Sequence, residues 1–361
     1  MNAASATEET QRLAMRRLAE IGRQSSVRAF WGEFIPTMVL MIGTWTVLAL
    51  VIYPRIVSGW WEVVWVLGCA MLGIWLARAF VLMHDAGHGA LAPTRWLNQV
   101  IGHACSVFVL TPMLHWSLLH WHHHRSSGNL EKQDGLGDIY TMTASRYLSL
   151  PGWQRWSYRM FRHRVDFLMI IPTVMFFIWH RLPFIYFPWA RMVRKPKLNE
   201  LVNIAALDAL YVGVGWWTWR HWPVAHPWVM TYLVAFLVTV TIGVTLFYTQ
   251  HQWEQTYYAH DEQWSFFDSA VKGSMTLRLP FGWMEWCLGY INFHSVHHLK
   301  PNLPLYHLPA AHRALRELGI RVAECRLSDL WKTFNHSVWD EQRQRLVSFA
   351  ELESARQDRS G

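Results

Sequence analysis

Four long apolar stretches constrain the fold more than any other feature of this 361-residue chain. Residues 34–53 and 227–248 contain no charged side chain over 20 and 22 positions, and each is long enough to cross a bilayer as a helix. Residues 63–83 and 201–219 are also apolar, but the former contains Arg78 and the latter Asp208. Because only helices and closed barrels satisfy their backbone in lipid, the sequence predicts an all-α integral membrane protein with four transmembrane helices.

The distribution of charge predicts on which side of the membrane the polar segments lie. Five arginines precede the first apolar stretch, which indicates a cytoplasmic N-terminal segment, residues 1–33. An even number of spans returns the chain to that side, so residues 34–361 are expected to form one membrane domain with a cytoplasmic helical cap, residues 84–200 and 249–361. Ala310–Leu318 and Trp339–Ser354 are predicted to be amphipathic cap helices, and Asp208 is expected to bond within the helix bundle.

Histidines cluster just after the predicted spans. Within the clusters the spacings are i, i+3 and i+4, so on a helix their imidazoles share one face. Imidazole is a ligand for iron, copper, zinc and nickel, and nine such ligands are too many for one ion. The sequence therefore predicts two metal ions held by His84, His88, His120, His123, His124, His251, His294, His297 and His298.

The same clusters decide how two shorter apolar runs are interpreted. If residues 97–113 crossed the membrane, His120–His124 would lie opposite His84 and His88, and no shared site could form. Residues 97–113 and 167–179 are therefore predicted to be re-entrant or interfacial. His122 would point away from the ligand face of its helix and is excluded from the ligand set.

Composition excludes several other classes of protein. The net charge is +8, from 33 basic and 25 acidic residues, without the basic and aromatic repeats of a nucleic-acid-binding chain. The dense positive charge at residues 155–164 and 191–197 favours anionic lipid head groups, with an acidic redox partner as the alternative. The four cysteines are scattered and form no Cys-x-x-Cys pair, so no iron–sulfur site is indicated.

The histidine clusters resemble those of a known family. His84-x-x-x-His88, His120-x-x-His123-His124 and His294-x-x-His297-His298 are similar to the three histidine boxes of membrane-bound fatty acid desaturases, and the bacterial members also resemble the chain at residues 127–130, 137–139 and 247–254. The resemblance implies two non-haem Fe ions held by nine histidines, a narrow acyl tunnel, O2 as co-substrate, and two electrons from an external, ferredoxin-type carrier. It further implies a fatty acid or acyl-lipid substrate and a bacterial inner-membrane location, with the active site on the cytoplasmic side.

Acidic and basic side chains near the boxes are candidates for supporting roles. A ligand imidazole usually donates its other N–H to a carboxylate or a carbonyl, and Asp85, Asp138, Glu254 and Asp261 are candidate acceptors. Asp138 and Glu254 are, with Arg125, the candidate catalytic residues. Arg125 follows the second box directly, where a guanidinium could hold a free carboxylate close to the metals.

Three functions remain open besides acyl desaturation. A desaturase-like decarboxylase would convert free fatty acids to terminal alkenes, and Arg125 would then hold the carboxylate. A hydroxylase or carotenoid-modifying enzyme could use the same scaffold. A metal transporter would need ligands at the bilayer midplane, whereas these histidines are predicted to lie at span ends, which favours an enzyme.

Overall fold

The computed structural model describes residues 7–56, 59–133, 137–184 and 195–357. Residues 1–6 of the predicted N-terminal segment, 191–194 of the second basic stretch and 358–361 of the predicted cap lie outside the described residues. The described part is mainly helical, which confirms the predicted fold class.

Four helices of the described chain are long and apolar enough to cross a membrane, as predicted. Each extends beyond its apolar core, because polar and aromatic residues at both ends continue the helix. The four spans are Arg28–Arg55, Gly59–Gly87, Leu198–Arg220 and Trp222–Thr249. The first is not a uniform α-helix, since π-helical turns at Arg28–Phe34 and Leu48–Ile52 flank the α-helix Ile35–Val47.

A glycine allows the second and fourth spans to pack closely. A Cβ placed at Gly73 would lie 2.7 Å from the carbonyl oxygen of Ala235 and 2.8 Å from Val238. The hydroxyl of Thr239 donates to the carbonyl of Gly73 across this contact, at 3.0 Å. Small residues let helix backbones approach closely in lipid, where the hydrophobic effect does not drive helices together.

A buried ion pair joins the first span, the second span and the cap. The guanidinium of Arg78 lies 2.5 Å from the carboxylate of Glu33, and both side chains are almost fully buried. Arg78 also donates to the hydroxyl of Thr37 at 3.0 Å and to the backbone carbonyl of Trp286. Because an unpaired buried charge is costly, these contacts fix the three segments relative to one another.

A bent helix pair lies between the second and third spans, where the sequence analysis predicts a re-entrant or interfacial segment. Helices Arg95–Phe108 and Met113–Ser126 meet at 104°. The Nε2 of His120, near the end of the second of these helices, lies 2.9 Å from the Nε2 of His84, at the end of the second span. The re-entrant interpretation requires this contact, because it needs the two histidines on one side.

The turn of this pair is stabilised by hydroxyl groups from the third and fourth spans. Tyr211 donates to the carbonyl of Val107 at 2.6 Å, and Tyr232 donates to the carbonyl of Phe108 at 2.7 Å. The last carbonyls of a helix have no donor within the helix, and lipid provides none. The two hydroxyls therefore satisfy them. The guanidinium of Arg181 donates to the carbonyl of Leu110 at 2.6 Å and pairs with Asp208 at 3.3 Å, so Asp208 does bond within the bundle.

The remaining helices form the cap and the N-terminal segment. They are Glu8–Ile21, Ala144–Ser149, Gly152–Arg162, Arg164–Met169, Ile171–Val174, the π-helix Met175–Trp179, Phe266–Lys272, Gly282–Cys287, His294–Leu299, Leu308–Glu317 and Phe349–Gln357, with 3-10 turns at Tyr53–Arg55, Asp261–Gln263, Leu305–His307 and Leu327–Asn335. The second short apolar run, residues 167–179, is thus broken into short helices and does not span.

Five short strands in the described cap depart from the all-helical expectation. Strands β1 (Met142–Thr143), β4 (Val338–Asp340) and β5 (Arg345–Val347) form one sheet, and β2 (Met275–Arg278) pairs in parallel with β3 (Ala323–Arg326). The prediction of a helix at Trp339–Ser354 is wrong, because this stretch forms the β4–β5 hairpin and only then a helix. The prediction at Ala310–Leu318 is confirmed by the helix Leu308–Glu317.

Candidate metal centre

Nine histidines from four segments of the chain converge into two adjacent groups. In each group one nitrogen from every ring lies within 4.8 Å of the others, and all nine side chains are buried. Group one contains His84, His88, His120, His124 and His297, and group two contains His123, His251, His294 and His298. The structure therefore brings together all nine histidines that the sequence analysis selected.

Helix geometry explains why the two groups are neighbours. On the helix Met113–Ser126, His120 and His124 are one turn apart and point into group one, while His123 is rotated towards group two. On the helix His294–Leu299, His297 joins group one, whereas His294 and His298 join group two. Each helix thus contributes to both groups, which fixes their relative position.

Neighbouring ligand nitrogens within each group lie close together. The closest Nε2–Nε2 pairs between rings of the same group are separated by 2.9 to 3.2 Å. With a metal–imidazole distance of about 2.1 Å, two ligands of one ion lie about 3.0 to 3.4 Å apart. The rings of each group are therefore close enough to share one metal ion.

The protonation of the rings also suits metal binding. Burial, reinforced by the neighbouring imidazoles, lowers the pKa of His88, His297 and His298 well below the usual value, and lowers the pKa of His251 to about 3. The rings are therefore neutral and retain a lone pair for a metal. His88 is buried with neither ring nitrogen hydrogen-bonded to the described residues, an arrangement that a metal ligand explains.

Two outer contacts orient ligand rings of group two. The Nδ1 of His123 donates to the carboxylate of Asp138, and the Nδ1 of His251 donates to the carbonyl of Gly273 at 3.0 Å. Such bonds fix the tautomer and leave Nε2 free to coordinate. In group one, the nearest acid is Asp85, whose carboxylate lies 3.7 Å from the Nδ1 of His84 and accepts from the backbone of Leu305 at 2.8 Å.

The other polar candidates lie away from the ligands. Glu254 pairs with Arg345 at 2.6 Å, and Asp261 pairs with Lys132 at 2.7 Å, and no hydrogen bond joins either acid to a ligand histidine. The expectation that Glu254 or Asp261 orients a ligand ring is therefore corrected, because each is engaged by a basic side chain of the cap.

Arg125, the third candidate catalytic residue, is exposed on the surface. His122 bonds to the carbonyl of Lys132 at 2.8 Å and belongs to neither group, as predicted.

Two tryptophans beside the ligands were not selected from the sequence. The indole of Trp116 stacks on His120, with centroids 4.5 Å apart and planes inclined by 18°. The indole of Trp121 meets His88 edge to face at 4.7 Å. Trp116 precedes His120 by one helical turn, and that spacing was the signal available in the sequence.

A mainly apolar cavity of about 110 Å³ reaches both metal groups. Its lining includes His84 and His120 of group one and His294 of group two. Most of its walls come from the second span, the bent helix pair, the π-helix Met175–Trp179 and the fourth span. Aromatic and aliphatic side chains predominate, including Phe80, Val81, Trp116, Phe176, Ile242, Val244, Leu246 and Phe247.

A second, smaller cavity reaches group two from another direction. It is lined by His123 and His251 together with Asp138, Gln133 and Tyr258. The larger cavity therefore presents apolar walls to the metal groups, whereas the smaller one presents hydrogen-bonding groups.

Comparison with known proteins identifies the family. The family model for fatty acid desaturases matches residues 58–324. The chain is 31% identical over 278 residues to the fatty acid desaturase of Bacillus subtilis, covering 76% of this chain and 74% of the relative. It is 24% identical over 292 residues to an sn-1 oleoyl-lipid 12-desaturase of Picosynechococcus sp., covering 80% and 76%. It is also 25% identical over 273 residues to an sn-1 acyl-lipid omega-3 desaturase (ferredoxin) of Nostoc sp., covering 75% and 71%. With its two buried histidine groups and four membrane spans, the chain belongs to the fatty acid desaturase family of oxidoreductases.

Proposed function

We propose that the protein inserts a double bond into a fatty acyl chain, using two iron ions, O2 and two electrons from a separate carrier. The observation that carries this proposal is a mainly apolar cavity whose lining includes histidines of both groups, His84, His120 and His294. An apolar, elongated substrate seated there would present its methylenes to both metals at once. Apolar pockets with a few convergent polar groups are the usual form of a substrate site.

The overall reaction balances with these components. A –CH2–CH2– unit, O2, two electrons and two protons give –CH=CH– and two molecules of water. Iron supplies, when bound, the activation of O2 that an unactivated C–H bond requires. The chain's own residues hold the acyl chain, exclude bulk water and orient the ligand rings.

The cavity walls support binding of a neutral acyl chain. Phe80 contacts Trp116 at 5.1 Å and Phe176 at 5.7 Å between ring centroids, which gives a continuous aromatic wall leading from His120. Such a wall offers dispersion contacts to methylenes and no hydrogen bond that would compete with them. The smaller cavity beside Asp138 offers a separate polar approach to group two, suited to water and protons.

The charge of the walls favours desaturation over decarboxylation. None of the described residues that line the larger cavity is a lysine or an arginine. A free carboxylate held there would have no guanidinium or ammonium group of the described lining to orient it, and only the metals themselves would oppose its charge. Arg125, the side chain proposed from the sequence to hold such a carboxylate, is exposed and does not line the cavity.

The sidedness and the electron source belong to the proposal as well. The arginine-rich segment before the first span supports a cytoplasmic N-terminus in a bacterial inner membrane, and the histidines would then face the cytoplasm. A relative from Nostoc sp. carries ferredoxin in its name, which supports a ferredoxin-type carrier here.

Product analysis tests the proposed reaction. The iron-loaded chain in lipid nanodiscs is supplied with O2, a reduced ferredoxin and either acyl lipid or free fatty acid, and the acyl chains and volatiles are analysed by mass spectrometry. The proposal predicts products two mass units lighter than the substrate with a double bond inside the chain. Terminal alkenes one carbon shorter, or hydroxylated chains, as main products would contradict it.

A further inference from the structure

One ligand of group one, His88, lies against an aromatic side chain that reaches the surface. All nine candidate ligands are buried, at 0 to 7% exposed. The indole of Trp121, which is partly exposed, contacts His88 with ring centroids 4.7 Å apart. The same indole lies 6.4 Å from the ring of His124, a second ligand of group one. A single conjugated ring therefore joins the surface to ligands of group one.

An exposed cation lies over this ring. The guanidinium carbon of Arg125 is 5.8 Å from the centroid of Trp121. Its side chain makes no hydrogen bond or ion pair with the described residues, so its charge and its donors face solvent. Two other arginines of the cap are engaged, since Arg159 pairs with Glu353 and Arg345 pairs with Glu254.

A second cation lies next to the turn that follows His88. The side-chain amide of Gln24 donates to the carbonyls of Gly89 and Ala90, at 2.8 and 2.9 Å. This contact holds the preceding residue, Arg23, on the same part of the surface, where it is exposed and forms no ion pair with the described residues. Positive charge thus lies near the point where the ligands approach the exterior.

We propose that Trp121 and Arg125 form the docking and electron-delivery site for an acidic, one-electron carrier protein. This inference rests on the proposed function, which requires two external electrons per double bond. Each reduced carrier would dock, give up one electron to the metal pair through the indole of Trp121 and the ring of His88, and leave oxidised. Two such encounters supply the two electrons of one turnover.

The physical character of the site suits a transient redox partner. Encounters between electron-transfer proteins bury little surface and depend on charge complementarity for their rate. A cation at the rim raises the association rate of an acidic protein, and this advantage falls as salt screens the charges. The indole provides the short contact across which the electron passes, while the positive charge of Arg125 attracts the partner to this position.

The first test reverses the charge of Arg125. Iron-loaded protein in nanodiscs of uncharged lipid is mixed with a reduced [2Fe–2S] ferredoxin, and the rate of ferredoxin oxidation is followed by stopped flow at several salt concentrations. Affinity for the oxidised ferredoxin is measured by biolayer interferometry. We expect Arg125→Glu to weaken affinity and slow the second-order rate roughly tenfold at low salt, with a flatter salt dependence, and Arg125→Lys to restore most of both.

Arg164 provides a matched control. Its guanidinium carbon lies 5.4 Å from the centroid of Trp331, the same kind of pair on a part of the cap that contacts no metal ligand. Arg164→Glu changes the net charge equally and should leave affinity and rate unchanged. An equal effect of Arg164→Glu and Arg125→Glu would overturn the proposal, because general charge rather than this site would then govern docking.

The second test separates electron delivery from docking. Trp121→Phe keeps an aromatic ring beside His88 but removes the indole. We expect only a small loss of carrier affinity, because the phenyl ring keeps an aromatic contact and Arg125 is unchanged, and a several-fold slower electron transfer at saturating carrier. Transfer at the wild-type rate in Trp121→Phe would exclude the indole as the route.

A chemical reductant distinguishes failure of this proposal from failure of the proposed function. With dithionite-reduced methyl viologen as electron source, Arg125→Glu should desaturate at the wild-type rate and keep its iron. Loss of turnover with viologen as well as ferredoxin would show that Arg125 acts on the chemistry and overturn the docking site. If the wild type forms no double bond with either reductant, the proposed function itself fails.

Discussion

The carboxylate of Asp138 accepts a hydrogen bond from the Nδ1 of His123, and this contact joins a loop of the cap to a ligand ring of group two. Asp138 and His123 are both almost fully buried. The bond fixes the ring plane and leaves the Nε2 of His123 3.2 Å from those of His251 and His298. We therefore expect Asp138 to be a positioning residue, whose effect on the chemistry passes through the ring of His123.

Replacing Asp138 tests this role. Asp138→Asn keeps the size of the side chain but removes the charge that favours the Nδ1–H tautomer, so iron affinity should fall about 10- to 100-fold. Glu254→Gln is the control, because Glu254 pairs with Arg345 and touches no ligand. The measurement is iron retained during competition with a chelator. Equal retention by Asp138→Asn and the wild type would show that the contact does not support the metal.

Removal of single ligands should separate the nine histidines from their neighbour His122. His123→Ala and His297→Ala remove one ligand from group two and group one, respectively, and each should lose iron and activity together. His122→Ala should retain both, because its ring bonds to the carbonyl of Lys132 instead. Iron per chain is measured by plasma mass spectrometry alongside turnover. Full activity in either ligand variant would remove that histidine from the site.

Gly243 should limit the length of acyl chain that the cavity accepts. It lines the cavity, and a Cβ placed on it would meet nothing within 4 Å. Gly243→Leu would fill part of that space, so kcat/KM for the longest chains should fall about tenfold or more for each excluded methylene, with shorter chains spared. Gly213→Leu, on the exposed side of the third span, is the matched control and should leave the chain-length profile unchanged. An unaltered profile in Gly243→Leu would show that the acyl chain lies elsewhere.

Cys325 reports the sidedness of the cap. Cys69, Cys105 and Cys287 are buried, whereas Cys325 on β3 is partly exposed. An impermeant maleimide should label Cys325 only after the cytoplasmic face is opened, and labelling in intact cells would contradict the proposed topology. Burial raises the pKa of the Cys325 thiol above its ordinary value. Since the thiolate reacts, the labelling rate should continue to rise with pH beyond the range in which an exposed cysteine levels off.

The convergence of the nine histidines could be predicted from the sequence because much of their geometry is local. His84 and His88, or His120 and His124, are one helical turn apart, so the helix alone brings the rings together. His251 could be selected because it lies just beyond the end of an apolar span. Asp138 was one of four acidic candidates, and no local pattern distinguished it from Glu254, since it is a distant arginine of the β4–β5 hairpin, Arg345, that engages Glu254.

Other features depend on contacts between distant segments. The stretch from Trp339 has an amphipathic pattern, but Val338 and Trp339 pair with Met142 and Thr143 almost 200 residues earlier, and that pairing selects a strand. The cavity likewise has walls from four separate segments. The sequence does not predict that Arg125 lies on the surface. Its position next to His124 does not show which face of the helix is covered by other segments.

The metal content of the purified chain tests the central claim most directly. If the two histidine groups each hold an iron ion, elemental analysis of protein purified without added metal should find close to two irons per chain and little zinc. Zinc as the main metal, or a single iron that persists in both His123→Ala and His297→Ala, would contradict a two-iron centre serving one acyl cavity.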